Sequence, residues 1–319
     1  MKVARELGAI QLQKNSVVTV GTFDGMHRGH QAVLSLVRSK AEGRGGRSVM
    51  LTFEPHPRFV LKGGQNAPPL LSTLEERLEG ARLQGIDLAI VIPFTPEFSQ
   101  LSFREFYLEY VIGRVGVSEV VEGYDHHFGR DRQGSVGALE QLGREFGFAV
   151  HAVSPVSVDG EIVSSSQIRT HLQEGSVATA AKLIGRPYSW SGKVIKGEGR
   201  GRLLGYPTAN LKPLAETKLV PSNGIYFASA TTFGASRYGI ASVGVRPTFE
   251  SDGKRLVEVY FLEFSGDLYG AEVTVHFLQR LRDEMKFSSA EELVQQMHKD
   301  RERSLQLQHI AHAEAAARS

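Results

Sequence analysis

Two histidines three residues apart, His27 and His30, lie in the glycine-rich stretch GTFDGMHRGH at 21 to 30. Residues at that spacing share one face of a helical turn, so both imidazoles project together. A pair so placed can donate hydrogen bonds to phosphate oxygens as negative charge builds on them. The glycines let backbone approach an anion closely, and free amides at a helix start favour negative charge. A metal site is less well supported, because zinc needs a third and fourth ligand and the sequence offers none nearby. The spacing alone is equally compatible with an ordinary strand-to-helix turn carrying solvated histidines.

A second segment, VSSSQIR at 163 to 169, has the makings of a partner. Ser164 to Ser166 suit a helix N-cap, and Arg169, one turn in, can reach a phosphate as a fork donor. An isolated N-cap of this kind is commonplace, so the segment gains meaning only beside the histidine pair.

The stretch KGEGRGRLLGYPTAN at 196 to 210 is a different solution to the same problem. No Walker A sequence occurs, so a nucleotide here needs other means of support. Gly197, Gly199, Gly201 and Gly205 give a mobile backbone able to fold over phosphates, and Lys196, Arg200 and Arg202 add positive charge. The same composition also describes a solvated hairpin. Along an extended segment Thr208 and Asn210 point to the same face. A hydroxyl beside an amide oxygen suits magnesium on a nucleotide. In VEVYF at 257 to 261, alternation puts Val257, Val259 and Phe261 on one face and Glu258 with Tyr260 on the other. Taken alone, a glutamate on such a strand reads first as an outward-facing surface residue.

These groups need elements to hold them. Up to about residue 184, β-branched runs at 17 to 21, 47 to 53, 88 to 94, 118 to 123 and 148 to 153 alternate with helical spacing at 29 to 42, 72 to 84, 102 to 113 and 135 to 146. That pattern predicts a doubly wound, mainly parallel α/β sheet of Rossmann-like type, with ligands beyond the carboxyl ends of its strands. After Gly185 short strands follow one another without helices, which predicts an antiparallel β-barrel or sandwich, followed by a terminal helix over 288 to 315. The boundary falls near 185.

Composition narrows the function classes. The 319 residues exceed one ordinary core and predict two domains. Formal charge is +2, from 37 basic and 35 acidic side chains, so no global field marks a nucleic-acid or membrane-surface protein. The basic loop 196 to 202 lacks the interleaved aromatics of a nucleic-acid face. Cysteine is absent, which removes disulfides and thiolate chemistry and fits a reducing compartment. With no apolar signal core and no spanning stretch, the expectation is a soluble cytoplasmic protein.

Together the segments resemble a known family. Residues 17 to 184 are similar to the FMN adenylyltransferase module of the bacterial bifunctional riboflavin kinase/FAD synthetases, through GTFDGMHRGH, TFEPHP (52 to 57), GYDHHFG (123 to 129) and SSSQIR. The rest resembles the riboflavin kinase module, through GRLLGYPTAN, NGIYFA, VGVRPTF, VEVYFLEFSGDLYG and LRDEMKF, so that the likeness covers about residues 17 to 300. It implies an adenylyltransferase domain over 1 to 185 and a kinase domain over 186 to 319.

In the first domain the resemblance assigns His27 and His30 to catalysis, Gly21, Phe23, Asp24, Gly29, Ser164, Ser165 and Arg169 to ATP, and Asp125 and Phe128 to the flavin. In the second it assigns Glu258 as general base, Gly197, Gly199 and Arg200 to ATP, Thr208 and Asn210 to Mg2+, and Arg282 and Phe287 to the flavin. The implied small molecules are riboflavin, ATP and FMN, with FAD as product; no nucleic acid, membrane or stable protein partner is implied. The chain departs from the family pattern at Asp125 (Asn in some members), Ser166 (usually Thr) and Ser242 (usually the Asn of Asn-Ile-Gly). A chain that retained adenylyl transfer alone, with a degenerate flavin-sensing barrel, is the nearest alternative; intact Thr208, Asn210 and Glu258 argue against it.

Overall fold

Runs such as SVVTV and LAIVIP are apolar on both strand faces, as expected of strands covered by helices on either side. The computed structural model describes residues 1–61, 67–124, 129, 134–197, 199–245, 255–264 and 266–318. In it, β1 (Lys2–Ala4), β2 (Ser16–Val20), β3 (Arg47–Glu54), β4 (Leu88–Pro93), β5 (Val117–Gly123) and β6 (Ala149–Val153) form a six-stranded sheet in the order β1-β4-β3-β2-β5-β6. Every pairing in it is parallel. Strand order reverses between β2 and β5, and the carboxyl ends there are the usual place for a ligand.

The connecting helices are α1 (Arg28–Glu42), α2 (Pro57–Leu61), α3 (Leu74–Leu83), α4 (Phe103–Phe106) and α5 (Val136–Phe146); α4 runs on as a π-helix over Tyr107–Val115. One core cluster packs Val18, Val20, Leu51 and Ile90 against Phe103, Phe106, Val111 and Leu142. The other packs Val17, Met50 and Ala89 against Val33, Leu34, Val37 and Ala81. Alternate residues of β2 thus serve opposite layers. Leu34 is fully buried, and truncating such a residue to Ala typically costs about 2–5 kcal/mol. The far end of α1 is tied by buried Glu119 on β5, which meets Lys40 at 3.4 Å and also pairs with Arg44 and His151. A small hairpin, β7 (Ser157–Val158) with β8 (Glu161–Ile162), follows.

Next come α6 (Ser165–Glu174) and α7 (Val177–Ile184), then β9 (Tyr188–Ile195), the short α8 (Arg200–Leu203), β10 (Ala209–Pro213), β11 (Gly224–Thr232), β12 (Ala235–Val245), β13 (Arg255–Phe261), β14 (Glu272–Arg282) and the long α9 (Ala290–Arg318). The strands close an antiparallel barrel in the order β10-β13-β12-β11-β14-β9. Trp190, Leu211, Tyr226, Val257, Val259, Val275 and Phe277 are buried in this unit. Gly192 is required where the wall is tight, since a Cβ there would lie 2.9 Å from both Leu211 and the Trp190 ring.

The chain divides by compactness into Met1–Ser165 and Ser166–Ser319. The change of sequence texture near 185 marks where strands begin. The structural division comes earlier because α7 packs its Val177, Ala180, Leu183 and Ile184 face with β14 and β9. Among the described residues no helix is long and apolar enough to cross a membrane.

Candidate active sites

In the first unit, the loop leaving β2 turns sharply: Phe23, Gly25 and Met26 all have positive φ (50°, 88° and 43°). Asp24 holds this shape from inside. Its buried Oδ1 accepts from the backbone N–H groups of Leu71 and Ser72 and from the Ser72 hydroxyl, at 2.9, 3.0 and 3.1 Å. Ser72 also accepts from Gly25 N–H at 2.7 Å. The Asp24 side chain is thereby turned into the protein. Arg77, fully buried on α3, donates to the Thr22 carbonyl at 3.1 Å.

His27 is the N-cap of α1, its Nδ1 accepting from His30 N–H at 3.4 Å, which leaves the ring proton on Nε2. The two imidazoles stack with centroids 3.6 Å apart, and the Phe23 ring meets His30 edge-on at 5.3 Å. Burial, and then the neighbouring His27, hold His30 well below the usual histidine pKa, so the ring is neutral. Gly29 permits the stack: a Cβ there would sit 3.2 Å from the His27 ring. Gly21 likewise lies under the Phe23 ring. Ser165, first residue of α6, donates to the Asp24 carbonyl at 2.9 Å. Ser164 precedes it, and Arg169 is buried one turn further along α6. Asp125 and Phe128 lie outside the described residues; they follow the carboxyl end of β5 in the chain.

Buried Glu122, near that end of β5, accepts from Val20 N–H at 3.1 Å and the Tyr107 hydroxyl at 3.3 Å. Burial pushes its carboxyl well above the usual range. Sequence reading missed Glu122, Ser72 and Arg77.

In the second unit the candidate residues share one row across the outside of the barrel. The registers pair Asn210 with Glu258, Glu258 with Ser242, Ser242 with Ile225, and Ile225 with Arg282. Val257, Val259 and Phe261 are buried while Glu258 and Tyr260 take the other face, as the alternation predicts. The Thr208 hydroxyl donates to Glu258 Oε2 at 3.0 Å. The glycine-rich loop lies directly on these groups: a Cβ on Gly197 would be 2.3 Å from Asn210 Nδ2, and one on Gly201 would be 3.5 Å from Thr208 Oγ1. Gly199 is left-handed (φ 71°) and caps α8, which Arg200 opens; the Arg200 side chain lies outside the described part.

Helix α9 braces this site. Tyr206 in the loop bonds His298 Nδ1 at 2.6 Å and packs against Tyr260. Arg282 is gripped by buried Asp300 through Nε at 3.0 Å and Nη2 at 2.7 Å, with its guanidinium over the Phe287 ring at 6.0 Å. Arg282 and Phe287 are therefore together, but the charge of Arg282 is already paired. Neither His298 nor Asp300 stood out in the sequence, since both fall among the polar residues of a long helix.

Both parts of the chain are similar to known proteins. The FAD synthetase family model matches residues 9–167 and the riboflavin kinase model residues 184–308. Curated proteins described as bifunctional riboflavin kinase/FMN adenylyltransferase are similar along almost their whole length. The Pseudomonas fluorescens protein is 39% identical over 88% of this chain and 89% of its own. Those of Listeria monocytogenes and Escherichia coli K12 are 36% and 32% identical, each over 90% of this chain and over 90% and 91% of their own. The chain belongs to the bifunctional riboflavin kinase/FMN adenylyltransferase family.

Within the solved structures, one described as a macrolide-efflux protein from Streptococcus pneumoniae is also similar, with a TM-score of 0.86 and 31% identity over 94% of this chain and 97% of that one. That description attaches to the other protein. The Rossmann-like sheet and the closed barrel with its terminal helix are those expected of this bifunctional family.

Proposed function

We propose that this chain phosphorylates riboflavin to FMN and then adenylylates FMN to FAD, using ATP in both steps. The observation that carries the kinase half is the Thr208–Glu258 hydrogen bond beneath Gly197 and Gly201, which groups a base and two oxygen donors under one loop. The 5′-hydroxyl of riboflavin is a neutral nucleophile and needs a base. Glu258 accepts its proton as the oxygen attacks the γ-phosphorus of ATP. Gly197 and Gly199 cover the phosphates and Arg200 adds charge.

Thr208 and Asn210 fit magnesium in donor chemistry, being hard oxygen ligands. Magnesium bound there would neutralise charge on the phosphate oxygens. Arg282 and Phe287, brought together beside α9, are the candidates for the flavin ring.

For adenylyl transfer, FMN supplies an ionised phosphate oxygen that attacks the α-phosphorus, and pyrophosphate leaves. The protein's work is alignment and charge stabilisation. His27 offers its Nε2–H and His30 acts as a neutral donor. Phe23 N–H, which finds no acceptor among the described residues, faces the anion, with Gly21 and Gly29 allowing close approach. Asp24 serves by shaping the loop. Ser164, Ser165 and Arg169 complete the triphosphate contacts, and Asp125 and Phe128 hold FMN. The two activities divide as residues 1 to 185 and 186 to 319. Dependence on ATP and the lack of cysteine fit a cytoplasmic setting.

Incubating the protein with riboflavin and Mg-ATP tests the reading. FAD, ADP and pyrophosphate are expected. Pyrophosphate formed only when FMN is added removes the kinase half, and no turnover with either flavin overturns the whole.

A further inference from the structure

Arg77 is an unusual residue to find fully buried in α3 of an α/β domain. Its guanidinium reaches acceptors from three separate segments. Nη1 donates to the Thr22 carbonyl, to Thr52 Oγ1 and to the Phe53 carbonyl, each at 3.1 Å. Nη2 meets Glu54 Oε2 at 2.5 Å, and Nε reaches the Thr73 carbonyl at 3.4 Å. Thr52 adds its own hydroxyl to the Thr22 carbonyl at 3.5 Å. Glu54 is the only carboxylate in this set, and its side chain is 41% exposed. An apolar side chain would fill the same space without the desolvation cost of a buried cation. What only a rigid planar fork supplies is a fixed angle between the carboxyl end of β3, the start of α3 and the loop that leaves β2.

That loop carries the chemistry. A trans peptide is planar, so pulling the Thr22 carbonyl toward Arg77 points the Phe23 N–H the opposite way. This N–H is the one assigned to the triphosphate under the proposed function, and the turn it belongs to leads, within four residues, to the stacked histidines.

We propose that Arg77 is a positioning residue for adenylyl transfer: its fork fixes the Thr22–Phe23 peptide and, through it, the aim of the Phe23 amide and the seat of His27 and His30. Arg77 touches neither substrate nor reacting atoms. The inference rests on the functional reading above and extends it to a residue outside the glycine-rich motif.

Arg77→Lys tests it, since lysine keeps the buried charge but replaces the fork with a point donor. FMN adenylylation and riboflavin phosphorylation are measured on one preparation, the second reporting that the chain is folded. The expected result is a fall of about tenfold to a hundredfold in adenylylation kcat, the scale of loss from an ångström of misplacement. KM for ATP stays within about threefold, and riboflavin phosphorylation is unchanged. A role confined to stability would lower Tm while leaving kcat per folded molecule intact.

Wild-type kcat in folded Arg77→Lys, or equal loss of both activities, overturns the proposal. Should Arg77→Lys not fold, Glu54→Gln decides in its place, because it loosens one tine of the fork and leaves the carbonyl bonds. A lowered adenylylation kcat with normal phosphorylation supports the proposal, and an unaltered one overturns it. If the unmodified chain forms no FAD from FMN, the functional reading itself falls, an outcome distinct from a wild-type rate in the variant.

Discussion

The Thr208 hydroxyl donates to Glu258 Oε2 at 3.0 Å, from a strand-leading position next to the Asn210–Glu258 register pair. The proposed metal donor and the proposed base are thus bonded to each other, and the carboxylate is aimed by its neighbour. Thr208→Val keeps the shape and removes the hydroxyl. Riboflavin phosphorylation should lose about tenfold to a hundredfold in kcat, with Thr208→Ser recovering most of it, the range typical of a misdirected base. A valine variant with wild-type kcat would show that the bond has no part in turnover.

Gly197 has no positive φ, so alanine is free of backbone strain there, yet its Cβ would fall 2.3 Å from Asn210 Nδ2. The Asn210 backbone is fixed in β10, so either its amide swings away from the phosphate side or the loop lifts, and both disturb the ATP site. Gly197→Ala should raise the ATP KM of phosphorylation by about tenfold and leave Tm within a few degrees, because the loss is of phosphate cover rather than core packing. Initial rates at varied ATP check this, and an unchanged KM contradicts it.

Glu122 gives a stability prediction with a definite sign. Burial raises its folded pKa above the ordinary 4.5. Its contribution is whole below that ordinary value and is lost as pH rises through the folded pKa, with a slope that approaches about 1.4 kcal/mol per pH unit. Glu122→Gln keeps an acceptor for Val20 N–H and the Tyr107 hydroxyl without the ionisation. Thermal melts from pH 5 to pH 8 should show the variant gaining on wild type as pH rises. A constant gap between the two curves refutes the assignment.

His30 has the opposite sign. Its folded pKa lies well below 6.5, so its contribution is present above 6.5 and is lost as pH falls through the folded value. A neutral donor also predicts an adenylylation rate that does not decline between pH 7 and 8.5 through His30 ionisation. His30→Gln, which retains an N–H donor, should keep more activity than His30→Ala, whose loss is about a hundredfold to a thousandfold. A midpoint near pH 7 that disappears in His30→Gln would show instead that an imidazolium is required.

Much of this was legible in the sequence because burial there follows a period. The run SVVTV and the alternation around Glu258 record which faces meet the core, and the folded chain keeps both. Strand β1 was missed because only Ala4 of its three residues is buried, too little for a pattern. Arg77 and Asp300 were missed for a deeper reason. A charged residue on a helix reads as solvent-facing, and only segments distant in the chain, Thr22 and Thr52 for one and Arg282 for the other, reveal it as an interior clamp. The pairing of Arg282 with Asp300 also changes what that arginine can offer a flavin. It brings geometry and a cation face already neutralised, rather than a free charge.

Two independent sites on one chain is the claim on which the rest depends, and crossed variants test it most directly. In matched, folded preparations, Glu258→Gln should abolish FMN formation from riboflavin while converting supplied FMN to FAD at the wild-type rate. His30→Ala should form FMN normally and stall there. If either single change silenced both reactions, or if Glu258→Gln still phosphorylated riboflavin at full rate, the division of labour between the barrel row and the histidine loop would be wrong.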